Sequence, residues 1–234
     1  MTQLVEILQS VGVFLGGLAA RGGFFLAMLA VLVAPAVLGA LALRALSARR
    51  ERRLGLREVA GLAYRPGAWY APGHTWLARR GKETVTLGAD DLALRLLPAV
   101  TSLELPPAGS ELRRGEPVAV LRGGGRSIQL RAPVDGRVVG VNAAALRDPG
   151  LVKREGYGRG WLVAFAPSVE ALAALPRDAA AEGWLAREAE RWTRLVEGRL
   201  GIAAADGGSL VSPAPWLVGE RGWREFADAF LART

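Results

Sequence analysis

The side chains able to do chemistry are few in this 234-residue chain, and their spacing does not bring them together. There is one histidine, His74, and no cysteine. Thiolate nucleophiles, thiolate metal sites and disulfides are therefore excluded. A histidine-based metal site or a Ser-His-Asp triad has too few members. His74 has no partner identifiable from the sequence, and a structural hydrogen bond accounts for it better than general-base work. Asp90 and Asp91 are adjacent and point in different directions on a helix, so capping suits them better than paired acid–base catalysis. Gly123-Gly124-Gly125 is followed by no Gly-Lys-Ser/Thr and no helix signal, which excludes a phosphate loop. Gly156, Gly158 and Gly160 read as a turn set ahead of Trp161. No catalytic, cofactor-holding or metal-ligating residue is assigned, and the chain is not expected to be an enzyme.

The formal charge is +8, carried almost wholly by arginine, since Lys82 and Lys153 are the only lysines. Nucleic-acid binding sets basic residues on one face among stacking aromatics. Here the arginines are scattered, with one cluster between residues 44 and 57. Neither nucleic acid nor a small-molecule substrate is expected as a partner.

Five stretches position these residues. Residues 1–21 place Leu4, Ile7, Leu8, Val11, Phe14, Leu15 and Leu18 at spacings of three and four, an amphipathic helix. Residues 22–43 are an uninterrupted apolar run, with Phe24, Phe25, Leu29, Leu32, Pro35, Leu38 and Leu41 facing lipid in a transmembrane reading. A helix of that length rises roughly 33 Å against a hydrocarbon core of about 30 Å. Residues 44–62 form a basic linker whose Arg44, Arg49, Arg50, Arg52 and Arg53 would meet lipid headgroups. Only Arg21 closely precedes the apolar run. The positive-inside bias therefore predicts a single-pass inner-membrane protein, N-terminus outside and the remainder cytoplasmic.

From residue 63 the pattern changes to short apolar runs broken by glycine and proline, which predicts a mainly β, α+β domain over 63–167. Thr75-Trp76-Leu77-Ala78 and Thr84-Val85-Thr86-Leu87 flank a glycine-containing loop as a hairpin. A short helix follows over 90–97, with Asp90 as N-cap. Further strands are predicted over 102–105, 117–121, 127–131 and 136–142, separated by turn signals that include the triple glycine.

Over this stretch the residues resemble the H-protein of the glycine cleavage system, a lipoyl carrier. The resemblance rests on His74-Thr75-Trp76, on Thr84-Val85-Thr86-Leu87-Gly88 followed by Asp91, and on Leu103-Glu104-Leu105-Pro106. It continues through Gly115-Glu116, Val118-Ala119-Val120, Ala132-Pro133-Val134-Asp135-Gly136, Val141-Asn142 and Tyr157-Gly158-Arg159-Gly160-Trp161. It implies a barrel-sandwich hybrid fold. Counting from both sides without a gap, it also implies that the family's lipoyl-lysine position falls on Gly125 and its preceding glutamate on Arg122. Glycine has no amine to form the amide, so no cofactor is expected there. A triple glycine instead lets the hairpin adopt positive φ and lets another backbone approach closely.

The tail, residues 168–234, opens on a Ser168 N-cap. Trp184, Leu185, Glu188, Ala189, Trp192, Leu195 and Val196 recur at helical spacing from Asp178 onward. A final amphipathic helix places Trp223, Phe226 and Phe230 on one side, where they either pad the β domain or, as exposed aromatics, are the first candidates for a partner-binding surface. With Arg122, Gly123, Gly124, Gly125 and Arg126 they make the candidate partner-binding set. The reading predicts a non-lipoylated accessory subunit that docks other subunits of a membrane-associated complex, of a redox or respiratory kind. The alternatives are a transport adaptor of the membrane-fusion type and a carrier modified at another lysine.

Overall fold

The computed structural model describes residues 55–200 and 219–232, together with scattered helical positions between 28 and 42. The chain divides into two units, Met1–Arg53 and Leu54–Thr234.

In the first unit, Met28, Val31, Val33, Val37, Leu38 and Leu41 are helical and exposed, as is Pro35. Among the described residues no helix is long and apolar enough to cross a membrane. This overturns the expected single-pass, inner-membrane placement. Headgroup contacts and the transport-adaptor reading depended on the same anchor and lose their basis with it. Phe24, Phe25, Leu29, Leu32, the amphipathic stretch 1–21 and Arg44, Arg49, Arg50, Arg52 and Arg53 lie outside the described residues.

The second unit is built from short antiparallel strands. A hairpin of β1 (Arg57–Val59) and β2 (Leu62–Tyr64) turns through Ala60 and Gly61, both at positive φ. It occupies a stretch that the arginine-rich sequence suggested was a linker. The main sheet has six strands in the order β3 (Trp69–Ala71), β4 (Thr75–Arg79), β5 (Val85–Ala89), β11 (Val163–Pro167), β10 (Gly136–Val141) and β7 (Glu111–Leu112). A second sheet has three, ordered β6 (Ser102–Glu104), β8 (Pro117–Gly123) and β9 (Arg126–Arg131).

Alternation along β9 shows how sequence selects the buried face: Ile128 and Leu130 are buried while Ser127 and Gln129 are exposed. Those two side chains share one hydrophobic cluster with Val118 and Leu121 of β8 and with Leu77, Leu87, Val138 and Phe165 of the main sheet. β3 and β4 are buried on both faces apart from Arg79, because helices cover the side away from that core. The mainly β character with C-terminal helices agrees with the sequence pattern.

The helices are α1 (Asp91–Arg95), α2 (Ala143–Arg147), α3 (Gly150–Arg154), α4 (Val169–Ala173), α5 (Ala179–Leu200) and α6 (Gly219–Leu231). Asp90 caps α1 by accepting from Ala93 N at 2.9 Å, and Ser168 caps α4 by accepting from Ala171 N at 3.2 Å. Along α5, Ala181, Leu185, Ala189, Trp192 and Val196 form one buried stripe. Trp192 meets Phe226 and Phe230 of α6 at ring-centroid distances of 5.1 and 5.4 Å.

Candidate functional site

The β8–β9 hairpin closes through Gly124 and Gly125, both in the left-handed region (φ +61° and +75°), as a tight two-residue turn requires. Gly123 and Arg126 are the last paired residues. Gly123 and Gly124 lie against the chain ahead of β6. A β-carbon on Gly123 would collide with the Ala99 carbonyl, and one on Gly124 with the Pro98 ring. Gly125 has nothing within 4 Å of where a β-carbon would stand. The apex is therefore sterically open at one residue and pressed onto its own scaffold at the two before it.

Two arginines flank this apex. Arg122 pairs with Glu104 on β6, and its carbonyl accepts from Thr101 N at 2.8 Å and Thr101 Oγ1 at 3.2 Å. The Arg126 guanidinium lies over the indole of Trp223, 5.3 Å from the ring centroid. Trp223 in turn donates from Nε1 to Leu96 O at 2.8 Å. The fold thus brings together Arg122, the three glycines, Arg126 and Trp223 at one end of the small sheet. Phe226 and Phe230 lie farther along α6, against Trp192.

Of the two readings of the α6 aromatics, the exposed partner surface is corrected by this arrangement and the padding of the β domain holds. Trp223 is 6% exposed, and Phe226 and Phe230 are 1% exposed each. An aromatic side chain removes 150–250 Å² from water when buried, and α5 with the hairpin sheet supplies that burial within the chain. The outer side of α6 carries Glu220, Arg221, Arg224 and Asp228 instead.

The second polar feature gives His74 the structural hydrogen bond expected of it, with partners that the sequence did not name. His74, at φ +61°, sits in a turn after Gly73 and is 1% exposed. Its Nδ1 is 2.8 Å from Asp90 Oδ2, and its Nε2 is 3.6 Å from Glu188 Oε2 on α5. Burial alone would lower the imidazole pKa, but the two carboxylates outweigh it and raise it to about 9. Burial would raise Glu188, yet hydrogen bonds from His74 and Arg191 bring it down to about 2. Held between two carboxylates with its pKa at about 9 and sealed from solvent, the imidazole suits the role of a structural cation at neutral pH rather than of a base for a substrate. Only contact in the folded chain reveals the Glu188 partner, since it lies 114 positions after His74.

A lipoyl arm requires a lysine amine, and the apex offers none. Lys153 donates its Nζ to Leu94 O at 2.7 Å and to Leu97 O, closing the end of α1, and burial lowers its pKa. Lys82 is exposed in the β4–β5 loop, where its carbonyl accepts from Arg79. The residues present at the hairpin do not fit the prosthetic group. Among the described residues no cluster of three or more His, Asp or Glu is placed to hold a metal ion.

Comparison with known proteins places this module. A model of the glycine cleavage H-protein family matches residues 68–187. The glycine cleavage system H protein of Cronobacter sakazakii is 35% identical over 112 residues, covering 48% of this chain and 87% of that protein. That of Legionella pneumophila (strain Corby) is 38% identical over 95 residues, covering 41% and 75%. The crystal structure of a glycine cleavage system H protein from Mycobacterium marinum aligns at 28% identity and a TM-score of 0.44, covering 51% of this chain and 97% of that one. The hairpin apex, the His74 turn and the first part of α5 all fall within the matched stretch, and the chain belongs to the glycine cleavage H-protein family.

Proposed function

We propose that this chain is an H-protein-family module that works without a lipoyl group and serves as a docking subunit, engaging a protein partner through the 122–126 hairpin. The observation that carries this reading is Gly125: it occupies the open apex of the hairpin, where the resemblance puts the carrier's lysine. Arg122 and Arg126 make the flanks of that apex basic, and both are fixed by contacts to their own scaffold. A rigid, charged loop on a packed sheet is suited to recognition, because little ordering entropy is lost on binding.

The competing reading keeps the family's carrier role and moves the arm to another lysine. Lys82 is the exposed candidate, since Lys153 is held by two carbonyls. Intact mass of the full chain, co-produced with a lipoate–protein ligase, separates the two. The docking reading expects an unmodified polypeptide, with Gly125→Lys gaining a lipoyl adduct. A lipoyl adduct on the native chain would overturn it. Pull-down with the full chain, repeated with Arg122→Ala and Arg126→Ala, tests the hairpin directly: identical partner recovery removes it from the binding surface.

A further inference from the structure

A chain of alternating charge runs through the interior from the head of α1 to the last helix. Asp90 meets His74, His74 meets Glu188, and Glu188 pairs with Arg191 one turn along α5. Arg191 then reaches α6, donating from Nη2 to Ala229 O at 2.8 Å, with its guanidinium 4.8 Å from the centre of the Phe230 ring. The groups facing the imidazole are Asp90 at the head of α1, Glu188 and the Trp184 ring on α5, and the Phe230 ring on α6. Arg191 stands behind Glu188, and the phenols of Tyr70 and Tyr157 interact electrostatically with Asp90. His74 and Asp90 are at most 1% exposed and Glu188 is 7% exposed.

We propose that this relay of contacts is a clamp: His74, held between Asp90 and Glu188, pins α5, and through Arg191 also α6, onto the β domain, and so keeps Trp223 seated under the hairpin apex. His74, Asp90 and Glu188 are buried, and isolating any one of their charges would be strongly unfavourable, while Arg191 is partly exposed at the outer end of the chain. Asp90 is fixed independently, because its other oxygen caps α1. The cation therefore has a rigid anchor on one side and the helical extension on the other. Glu188, Arg191 and α6 all lie past residue 187, where the family match ends. The clamp thus belongs to the extension of this chain. It links a buried protonation state to the placement of the surface beside Arg126, whichever partner that surface serves.

Hydrogen–deuterium exchange on the full chain tests this. At pH 6.5, His74→Gln and Glu188→Gln are each expected to raise exchange in 219–231 and 122–126 by about tenfold or more, with β4, β5 and β11 little changed. A rise shared equally by all strands, or no rise, overturns the clamp. If His74→Gln fails to fold, the native chain at pH 10 supplies the same perturbation. After correction for the intrinsic exchange rate, the same two segments open selectively, and Glu188→Gln abolishes that pH dependence. A pH response that survives in Glu188→Gln overturns it as well.

Discussion

A β-carbon on Gly123 would stand 2.7 Å from the carbonyl carbon of Ala99 and overlap its oxygen. The backbones of the hairpin and of the chain before β6 touch here because neither side carries an atom between them. Gly123→Ala must push two backbones apart, and overpacking of this kind costs about 3 kcal/mol. Gly125→Ala meets only the left-handed conformation (φ +75°) in open space, a penalty of about 1 kcal/mol. Chemical denaturation of the two variants is expected to rank Gly123→Ala well below Gly125→Ala. Equal midpoints would mean that the apex is not seated on Ala99.

The charged cluster around His74 sets the shape of the stability–pH curve. His74 is raised from 6.5 to about 9 on folding, so its contribution is complete below pH 6.5 and is lost as pH rises through 9. Glu188 is depressed from 4.5 to about 2, so its contribution is complete above pH 4.5 and is lost as pH falls through 2. Both are therefore complete only between about pH 4.5 and 6.5. Thermal melts are expected to lose about 5 °C or more between pH 6.5 and 9. His74→Gln should flatten that limb. Tyr64, Tyr70 and Tyr157 are raised by burial, and their contribution is lost only above pH 10, where the variant keeps its slope. A native chain whose melting temperature is constant from 6.5 to 9 contradicts the assignment.

The two lysines are chemically unequal. Lys82 is exposed, while Lys153 spends its donors on the carbonyls of Leu94 and Leu97. An amine-reactive ester is expected to label Lys82 readily and Lys153 only after unfolding, as read by peptide mass mapping. Lys153→Met should destabilise the fold by about 2 kcal/mol, the value of charge-assisted hydrogen bonds whose acceptors are left buried. Rapid labelling of Lys153 in the native state would show that those carbonyls do not hold it.

What the sequence shows and what it hides divides along contact range. Asp90 as a helix cap is legible because the bond it makes, to Ala93 N, is three residues away. Strands β8 to β10 are legible because glycine turns punctuate alternating apolar residues. Helices of five residues are too short for a 3.6-residue period to register, so α1 and α4 are legible through their Asp90 and Ser168 caps, whereas α2 and α3 are not. The β1–β2 hairpin is masked by the arginines around it. On α6 the stripe of Trp223, Phe226 and Phe230 is readable, but a stripe says only that something covers it. Whether the cover is another protein or Trp192 of the same chain is a tertiary fact. The membrane reading is overturned because no helix among the described residues is long and apolar enough to cross a bilayer; apolar composition alone says that a segment seeks burial, not what covers it. Gly125 was legible as an absence, because a missing amine needs no fold to be noticed.

Asn142 offers the sharpest test of how the closing segment of the β domain is held. Its amide nitrogen donates to Arg159 O at 2.7 Å and to Trp161 O at 2.6 Å, while its Oδ1 accepts from Ala144 N and Ala145 N at 3.1 and 3.3 Å. One buried side chain thus caps α2 and ties down the Gly158–Gly160 turn that leads into β11. Asn142→Ala loses both functions, for about 2–3 kcal/mol. Asn142→Asp keeps the cap, yet it sets a carboxylate against two carbonyl oxygens with no hydrogen between them. Burial and those carbonyls raise its pKa. Protonation restores one donor, so Asn142→Asp is expected to be less stable than Asn142→Ala at pH 7 and to recover relative to it as pH falls toward 5. Melting curves for both variants across that range decide the matter: parallel pH profiles would mean that the amide nitrogen does not hold the turn.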